Sequence, residues 1–186
     1  MRVIGGKLTG RKLFYLKEKK IRPTKNIVRK AIFDSLKGEI ENKRVLDIFA
    51  GTGALGIEAI SYGAKEVVFV EFEKRAVEII KKNILNLNIM EKATIIRENV
   101  EKALNHIEEK KFGLILLDPP YNYPDEKLLF LLNMIWKNKI LEEKGIIVVE
   151  HSVKKKIPYI EGFEIYKEKK YGNTAVSFLK EANGER

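Results

Sequence analysis

Three glycines, Gly51, Gly53 and Gly56, follow a short apolar run at the spacing G-x-G-x-x-G. The run at 45–48 is typical of a buried strand, and the pattern at 54–62 is helical. Small residues let a ligand approach the backbone closely, and the start of a helix offers unpaired N–H donors. The stretch therefore predicts a glycine turn that binds a small ligand.

The class of ligand is narrowed by Asp47, which lies four residues before Gly51. A dinucleotide-binding turn has the same glycine spacing, but a carboxylate at this place would repel the pyrophosphate of a dinucleotide. The acid suits a cationic or hydrogen-bond-donating ligand better. A dinucleotide-dependent oxidoreductase is an alternative, although it leaves a second motif at 118–121 without a role.

That second motif is the tetrapeptide Asp118, Pro119, Pro120 and Tyr121, which comes directly after the apolar run at 114–117. The two prolines fix φ and remove two N–H donors, so the carboxylate and a carbonyl remain as acceptors. A rigid corner of acceptors suits a planar amine with two N–H donors. The tyrosine ring offers a face on which a base can stack.

Strand and helix patterns alternate from residue 43 onward, which is typical of a parallel sheet covered by helices on both faces. The predicted strands are Arg44–Ile48, Val67–Glu71, Ala93–Arg97, Phe112–Leu117 and Gly145–Glu150. The predicted helices are Ala54–Tyr62, Lys74–Asn86, Val100–Glu108 and Asp125–Asn138. Two further strands, Glu164–Tyr171 and Thr174–Lys180, flank a Gly-Asn turn. The sequence predicts an α/β fold with a mostly parallel, seven-stranded sheet and an antiparallel C-terminal hairpin.

Four polar residues end or follow successive strands of this predicted sheet: Asp47, Glu71, Asn99 and Asp118. Ligands of such sheets lie beyond the carboxyl ends of the strands. Glu71, fifteen residues after Gly56, can accept hydrogen bonds from both hydroxyls of a ribose. The amide of Asn99 could read the edge of an adenine.

The composition is that of a globular protein, with 45% hydrophobic and 33% charged residues among 186, enough for one domain over 1–186. The absence of cysteine excludes disulfides, thiolate zinc sites and cysteine nucleophiles. The two histidines, His106 and His151, have no cluster around them, so no metal is expected. Neither a membrane span nor a signal peptide is evident, which predicts a cytoplasmic protein.

The net charge of +10 is concentrated in one segment. Residues 1–30 hold eleven Lys or Arg and one acid, whereas the other 156 residues hold 25 basic and 25 acidic residues. A confined excess of this kind indicates a surface for a polyanion. We expect a basic extension over 1–40, formed by a β-hairpin or ribbon at 1–16 and a helix after Pro23-Thr24, attached to a core at 41–186.

Several strings along the chain resemble one family. They are VIGGKLTGRKL, RPTKNIVRKAIFDSL, DIFAGTGALGIEAIS, LLDPPY and YGNTAVSFLK. Together they resemble the bacterial 16S rRNA guanine-N2 methyltransferase family, Rossmann-like class I methyltransferases that use S-adenosylmethionine. The glycine loop and the tetrapeptide are shared by many methyltransferases, and the N-terminal strings are specific to this family. Asn99 stands where the family often has aspartate, and Tyr62 where arginine is common.

The resemblance implies roles for particular residues. Cofactor contacts are implied for Asp47, Phe49, Ala50, Gly51, Thr52, Gly53, Glu71, Phe72, Asn99 and Asp118. The target base would be held by Asp118, Pro119, Pro120 and Tyr121. Contacts to RNA are expected from Arg2, Lys7, Arg11, Lys12, Arg22, Thr24 and Arg29.

The function that this implies is methyl transfer to the exocyclic N2 amine of one loop guanine in 16S rRNA, within an assembling small ribosomal subunit, by a monomer. A DNA adenine-N6 methyltransferase is the nearest alternative, since the tetrapeptide fits both activities. An RNA-binding module without catalysis is a third, although it has no need of both motifs.

Overall fold

The computed structural model describes residues 1–15, 26–107, 111–120 and 122–182. The five α-helices are α1 (Asn26–Ser35), α2 (Ala54–Ser61), α3 (Lys74–Leu87), α4 (Val100–His106) and α5 (Asp125–Lys137), and short 3₁₀ helices span Gly6–Leu8 and Met90–Lys92. The strands are β1 (Arg44–Ile48), β2 (Glu66–Val70), β3 (Ala93–Ile96), β4 (Phe112–Leu117), β5 (Leu141–Ser152), β6 (Phe163–Tyr171) and β7 (Thr174–Glu181).

All seven strands form one sheet in the order β3-β2-β1-β4-β5-β7-β6. Strands β1 to β5 are parallel, and β7 pairs antiparallel with both β5 and β6. The predicted sheet and its C-terminal hairpin are therefore confirmed. Because the chain leaves β1 toward β2 on one side and returns to β4 on the other, the strand order reverses between β1 and β4, where ligands of such sheets bind.

The core has two halves, one on each face of the sheet. Residues of α1, α2 and α3 pack on one face, and residues of α4 and α5 pack on the other. Within β1, Val45 faces the first half, whereas Leu46 and Ile48 belong to the second. Burial on both faces explains why the parallel strands are continuous apolar runs.

The N-terminal ribbon, defined as residues 1–15, turns back on itself through the short 3₁₀ helix. Arg2 and Lys12 form an antiparallel bridge, and the N–H of Leu13 donates to the carbonyl of Met1 at 2.9 Å. Val3 and Leu13 are buried in the first half of the core. The ribbon is thus packed onto the main fold, and its antiparallel bridge agrees with the predicted β-hairpin or ribbon at 1–16 as far as residue 15. The boundary at residue 40 stays a prediction.

Within the part of the chain that the structure describes, no helix has both the length and the apolar character needed to cross a membrane.

Candidate functional site

The glycine loop joins β1 to α2 and contains three residues in the left-handed region. Gly51 and Gly53 have φ of 56° and 78°, and Phe49 has φ of 61°. A non-glycine residue held in this region is strained, and such strain clusters at ligand sites. Gly56 has a different role, because a Cβ there would lie 2.3 Å from Phe69 Cε1 and 2.9 Å from Asp47 Oδ2.

Asp47 lies beneath this loop with 1% of its surface exposed. Its Oδ2 accepts a hydrogen bond from the N–H of Gly56 at 2.8 Å, and Oδ1 has no hydrogen-bond partner among the described residues. Burial is the main cause that raises the pKa of this carboxyl to about 8; the Gly56 N–H opposes it, and the charges of Asp118 and Glu71 raise the pKa further. A buried carboxyl with an unpartnered oxygen is suited to a cation or an N–H donor.

Glu71 directly follows β2 and accepts two backbone hydrogen bonds. Oε2 accepts from the N–H of Gly51 at 2.7 Å, and Oε1 accepts from the N–H of Glu73 at 2.8 Å. Each carboxylate oxygen has a second lone pair, so both keep capacity for a ligand hydroxyl. Glu71 thereby fixes the glycine loop and presents a pair of acceptors beside it.

A cleft of about 240 Å³ is lined by Phe72, which directly follows Glu71 in the chain, and by Arg97, Glu98, Asn99 and Lys102. Phe72 is 72% exposed, as expected of an aromatic ring that a planar ligand could cover. The predicted pair Phe72 and Asn99 is thus brought together. Asn99 also caps α4, because its Oδ1 accepts from the N–H of Glu101 at 3.3 Å. The sequence reasoning missed Arg97, Glu98 and Lys102.

The tetrapeptide leaves β4 next to the glycine loop. The N–H of Asp118 donates to the carbonyl of Ile48 at 3.4 Å, so the carboxyl ends of β1 and β4 stay side by side. Asp118 and Pro119 are half-buried, Pro120 is exposed, and Tyr121 lies outside the described residues. Acids from both motifs therefore share one region, which is why Asp118 influences the pKa of Asp47.

An aromatic contact joins the glycine loop to the turn that follows the tetrapeptide. The rings of Phe49 and Tyr123 meet edge to face with centroids 5.0 Å apart. Tyr123 is held by its backbone, since its N–H donates to the carbonyl of Pro120 at 2.7 Å and its carbonyl accepts from Lys155 Nζ at 2.6 Å. Phe49, whose backbone is strained, thus packs the glycine loop against the turn that follows the tetrapeptide. Sequence reasoning had no signal for Tyr123 beyond its place after the motif.

Residues 1–180 match the family described as Conserved hypothetical protein 95. The chain belongs to this family.

Relatives and solved structures agree with this assignment. Ribosomal RNA small subunit methyltransferase D of Buchnera aphidicola subsp. Acyrthosiphon pisum is 36% identical over 167 residues, covering 90% of this chain and 86% of that protein. The protein of the same name from Escherichia coli K12 is 30% identical over 189 residues, covering 100% and 92%. A solved structure from Thermus thermophilus has a TM-score of 0.82 at 29% identity, covering 96% of this chain and 98% of that one. Two further solved structures, titled as putative methyltransferases from Escherichia coli and Pyrococcus horikoshii, have the same Rossmann-like fold.

The prediction that Arg29 contacts RNA is wrong. Its side chain is fully buried, with Nε 3.1 Å from Glu58 Oε1 and a terminal nitrogen donating to the carbonyl of Arg2 at 2.6 Å. Burial lowers the pKa of Arg29, and Glu58 opposes the shift. Arg29 follows a basic segment in sequence, but the helix turns it inward.

Four of the other predicted RNA contacts, Arg2, Lys7, Arg11 and Lys12, are exposed on the ribbon. Arg2 also donates to the carbonyl of Gly10 at 2.6 Å, and Arg11 donates to the carbonyl of Asn86 at 2.9 Å. These bonds hold the two guanidinium groups in place on the surface. Arg22 and Thr24 lie outside the described residues, as does the predicted helix entry at Pro23-Thr24.

The part of the chain that the structure describes has no group of three or more His, Cys, Asp or Glu side chains placed to hold a metal ion. Tyr62, at a position where arginine is common in the resembled family, stacks on Phe33 with ring centroids 5.2 Å apart. It therefore fills a packing position under the ribbon.

Proposed function

We propose that this protein is an S-adenosylmethionine-dependent methyltransferase that acts on the N2 amine of a guanine in 16S rRNA. The observation that carries the proposal is the meeting of two acidic motifs at the strand-order reversal. Asp47 with its glycine loop and Asp118 with its two prolines lie on adjacent strands, joined by the Phe49–Tyr123 contact. The names of the relatives add ribosomal RNA of the small subunit as the substrate class.

The residues beside the glycine loop fit S-adenosylmethionine, which supplies an electrophilic methyl group on a positively charged sulfur. The unpartnered, buried Oδ1 of Asp47 is an acceptor for the cationic methionine part. The two oxygens of Glu71 can accept from the ribose hydroxyls, and the exposed ring of Phe72 can cover the adenine. The backbone of Ala50 and Thr52 would lie beside the cofactor.

The tetrapeptide would hold the guanine amine. Acceptors at Asp118 and Pro119 orient its two N–H bonds, so that the nitrogen lone pair points to the methyl group. The nitrogen would form a bond to the methyl carbon while the bond from that carbon to sulfur breaks, which leaves neutral S-adenosylhomocysteine. The nitrogen would then carry a positive charge, and the carboxylate of Asp118 would stabilise that charge until the proton passes to water. Positioning of two reactants can contribute about 7–11 kcal/mol at best. Tyr121 would stack on the base.

A base must leave its stack to enter such a pocket, so the substrate is an unstacked or looped-out guanine. The exposed Lys and Arg of the ribbon would bind the phosphates around it. Because one short basic ribbon offers little surface for reading a sequence, we propose that ribosomal proteins of an assembling small subunit present the loop to a monomeric enzyme in the cytoplasm. Equal activity on protein-free 16S rRNA would contradict that part of the proposal.

The decisive experiment is nucleoside mass spectrometry after incubation with S-adenosylmethionine and small subunits that lack the modification. Protein-free rRNA and DNA are tested in parallel. Asp118→Asn should abolish the product because it removes the carboxylate and keeps the shape. Asp34→Asn is the matched control, since Asp34 is an exposed acid of α1 that pairs with Lys30.

New N2-methylguanosine that depends on Asp118 and not on Asp34 would support the proposal. N6-methyladenine in DNA would replace it with the DNA methyltransferase alternative. No product on any substrate, together with rRNA binding, would indicate a binding module.

A further inference from the structure

Asn83 is a fully buried polar residue of α3 that neither motif contains. Its side chain makes three hydrogen bonds within the described part of the chain. Oδ1 accepts from the N–H of Phe14 at 2.7 Å, and Nδ2 donates to the carbonyl of Phe14 at 3.1 Å and to the carbonyl of Thr52 at 3.0 Å. A buried amide with these bonds satisfied is costly to replace, because the carbonyl of Thr52 would be left buried and without its donor.

The three bonds connect two parts of the molecule that are far apart in sequence. Phe14 lies in the N-terminal ribbon, two residues after the exposed Lys12. Thr52 is buried in the glycine loop between Gly51 and Gly53. One rigid side chain therefore fixes the backbone of the proposed RNA-binding ribbon and the backbone of the proposed cofactor loop at the same time.

Other hydrogen bonds join the ribbon to residues of α2 and α3. Glu58 and Ser61 of α2 accept from the N–H groups of Ile4 and Leu8, at 2.7 and 2.9 Å. On α3, Asn86 Nδ2 donates to the carbonyl of Lys12 at 3.2 Å. Among the described residues, the side chain of Asn86 bonds to the ribbon alone, whereas that of Asn83 also bonds to the glycine loop.

We propose that Asn83 is a positioning residue that couples RNA binding by the ribbon to cofactor binding by the glycine loop. A ligand that orders one side of Asn83 also orders the other side, so the second ligand loses less conformational freedom when it binds. The coupling is reciprocal: each ligand tightens the other by the same factor. This inference rests on the proposed function.

The exposed aromatic rings beside Asn83 give the coupling a physical route. Phe14 and Tyr15 are 45% and 44% exposed, although both are aromatic. A base stacked on Phe14 presses on a residue whose N–H and carbonyl are both held by Asn83. RNA contact is thereby transmitted to the carbonyl of Thr52 through a single amide group.

The test measures the dissociation constant of 16S rRNA from the full-length protein, with and without saturating S-adenosylhomocysteine, and the converse. In the wild type we expect each ligand to tighten the other by the same factor, within the roughly 5–150-fold range of such couplings. Asn83→Ala should bring the factor close to one while each ligand still binds alone. Asn86→Ala, the matched control on the same helix, should weaken rRNA binding and keep the factor.

Thermal melting of each variant shows that it is folded. If Asn83→Ala does not fold, the size of the factor in the wild type is still a test: a factor of one there overturns the coupling. The proposal is also overturned if Asn83→Ala keeps the factor by which the two ligands tighten each other, or if Asn86→Ala lowers that factor equally. Failure of the wild type to bind S-adenosylhomocysteine or rRNA at all would instead contradict the proposed function.

Discussion

At the scale of single residues, the buried carboxyl of Asp47 makes stability depend on pH. Its pKa is about 8 in the folded protein, above its ordinary value of 3.8. Between these two values the folded state keeps a proton that the unfolded state releases, so the free energy of unfolding falls as pH rises from about 4 to about 8. The stabilisation that comes from the proton kept by Asp47 is fully present below about pH 4 and is lost as pH rises through about 8.

This prediction is checked with Asp47→Asn, which is neutral at every pH. The free energy of unfolding in urea is measured for both proteins at pH 5 and pH 8. We expect the wild type to lose at least about 1.4 kcal/mol relative to the variant, the equivalent of one pKa unit. Parallel pH profiles of the two proteins would show that Asp47 does not titrate in this range.

Gly56 allows the close packing of α2 on the sheet above Asp47. In Gly56→Ala the new Cβ would lie 2.3 Å from Phe69 Cε1 and 2.8 Å from Val67 Cγ1, and both side chains are fully buried. We expect a loss of about 1–3 kcal/mol in unfolding free energy. Binding of S-adenosylhomocysteine should also weaken, because the same Cβ contacts Asp47 Oδ2. Calorimetric titration and urea unfolding measure the two effects.

The control for this change is Gly172→Asn, at the tip of the C-terminal hairpin. Nothing lies within 4 Å of a Cβ there, and its φ of 59° suits asparagine. The free energy of unfolding and the binding free energy of S-adenosylhomocysteine should both stay within about 0.5 kcal/mol of the wild type. Equal losses in the two variants would show that packing against Phe69 is not the cause.

Sequence reasoning found side chains at strand ends more readily than side chains on helix faces. Asp47, Glu71 and Asp118 follow buried runs directly, so their position relative to the sheet is set by the strand itself. Arg29 and Asn83 lie on helices, where the tertiary partner decides which face is buried. The sequence of a basic segment therefore predicts Arg29 on the surface, although Glu58 holds it inside.

At the scale of elements, the buried pair of Arg29 and Glu58 joins the ribbon, α1 and α2. Glu58 also accepts from the N–H of Ile4 at 2.7 Å. Within the described residues the Nε–H of Arg29 makes no hydrogen bond despite its 3.1 Å distance from Glu58, so the pair is held chiefly by charge. Burial raises the pKa of Glu58, with Ile4 and Arg29 opposing it.

Removing one partner leaves the other charge buried and uncompensated. Glu58→Gln should therefore cost roughly 3–5 kcal/mol of unfolding free energy, and the double variant with Arg29→Met should cost less than the sum of the single changes. Urea unfolding of all four proteins measures the coupling. The control is Asp34→Asn, which breaks the solvent-exposed pair with Lys30 and should leave the unfolding free energy almost unchanged. Additive costs of the two buried changes would exclude the pairing.

Element boundaries were predicted well wherever apolar runs have sharp ends, as in β1 and β4. Strand β5 is longer than predicted, since it begins at Leu141 and pairs there with Phe112 before a register shift. The polar residues at 142–144, of which Lys144 has φ of 61°, conceal this beginning in the sequence. Pairing with a neighbouring strand depends on tertiary contacts, which the periodicity of one segment does not show.

At the scale of the whole molecule, the charge distribution should determine how rRNA binding responds to salt. The basic excess of residues 1–30 is displayed in part by Lys7 and Lys12, both exposed on the ribbon. The rest of the chain has equal numbers of basic and acidic residues. Neutralised phosphates release counterions, so the logarithm of affinity falls linearly with the logarithm of salt concentration, by about 0.7 per contact on a single strand.

Lys7→Gln with Lys12→Gln should therefore reduce the magnitude of this slope by about 1.4 if both lysines contact phosphates. The control replaces Lys65 and Lys137 by glutamine, two lysines next to the amino ends of β2 and β5, opposite the candidate site. It removes the same charge and should leave the slope unchanged. If both double variants lower the slope equally, rRNA senses only net charge, and the ribbon is not its binding surface. Filter binding between about 50 and 200 mM salt separates the two outcomes.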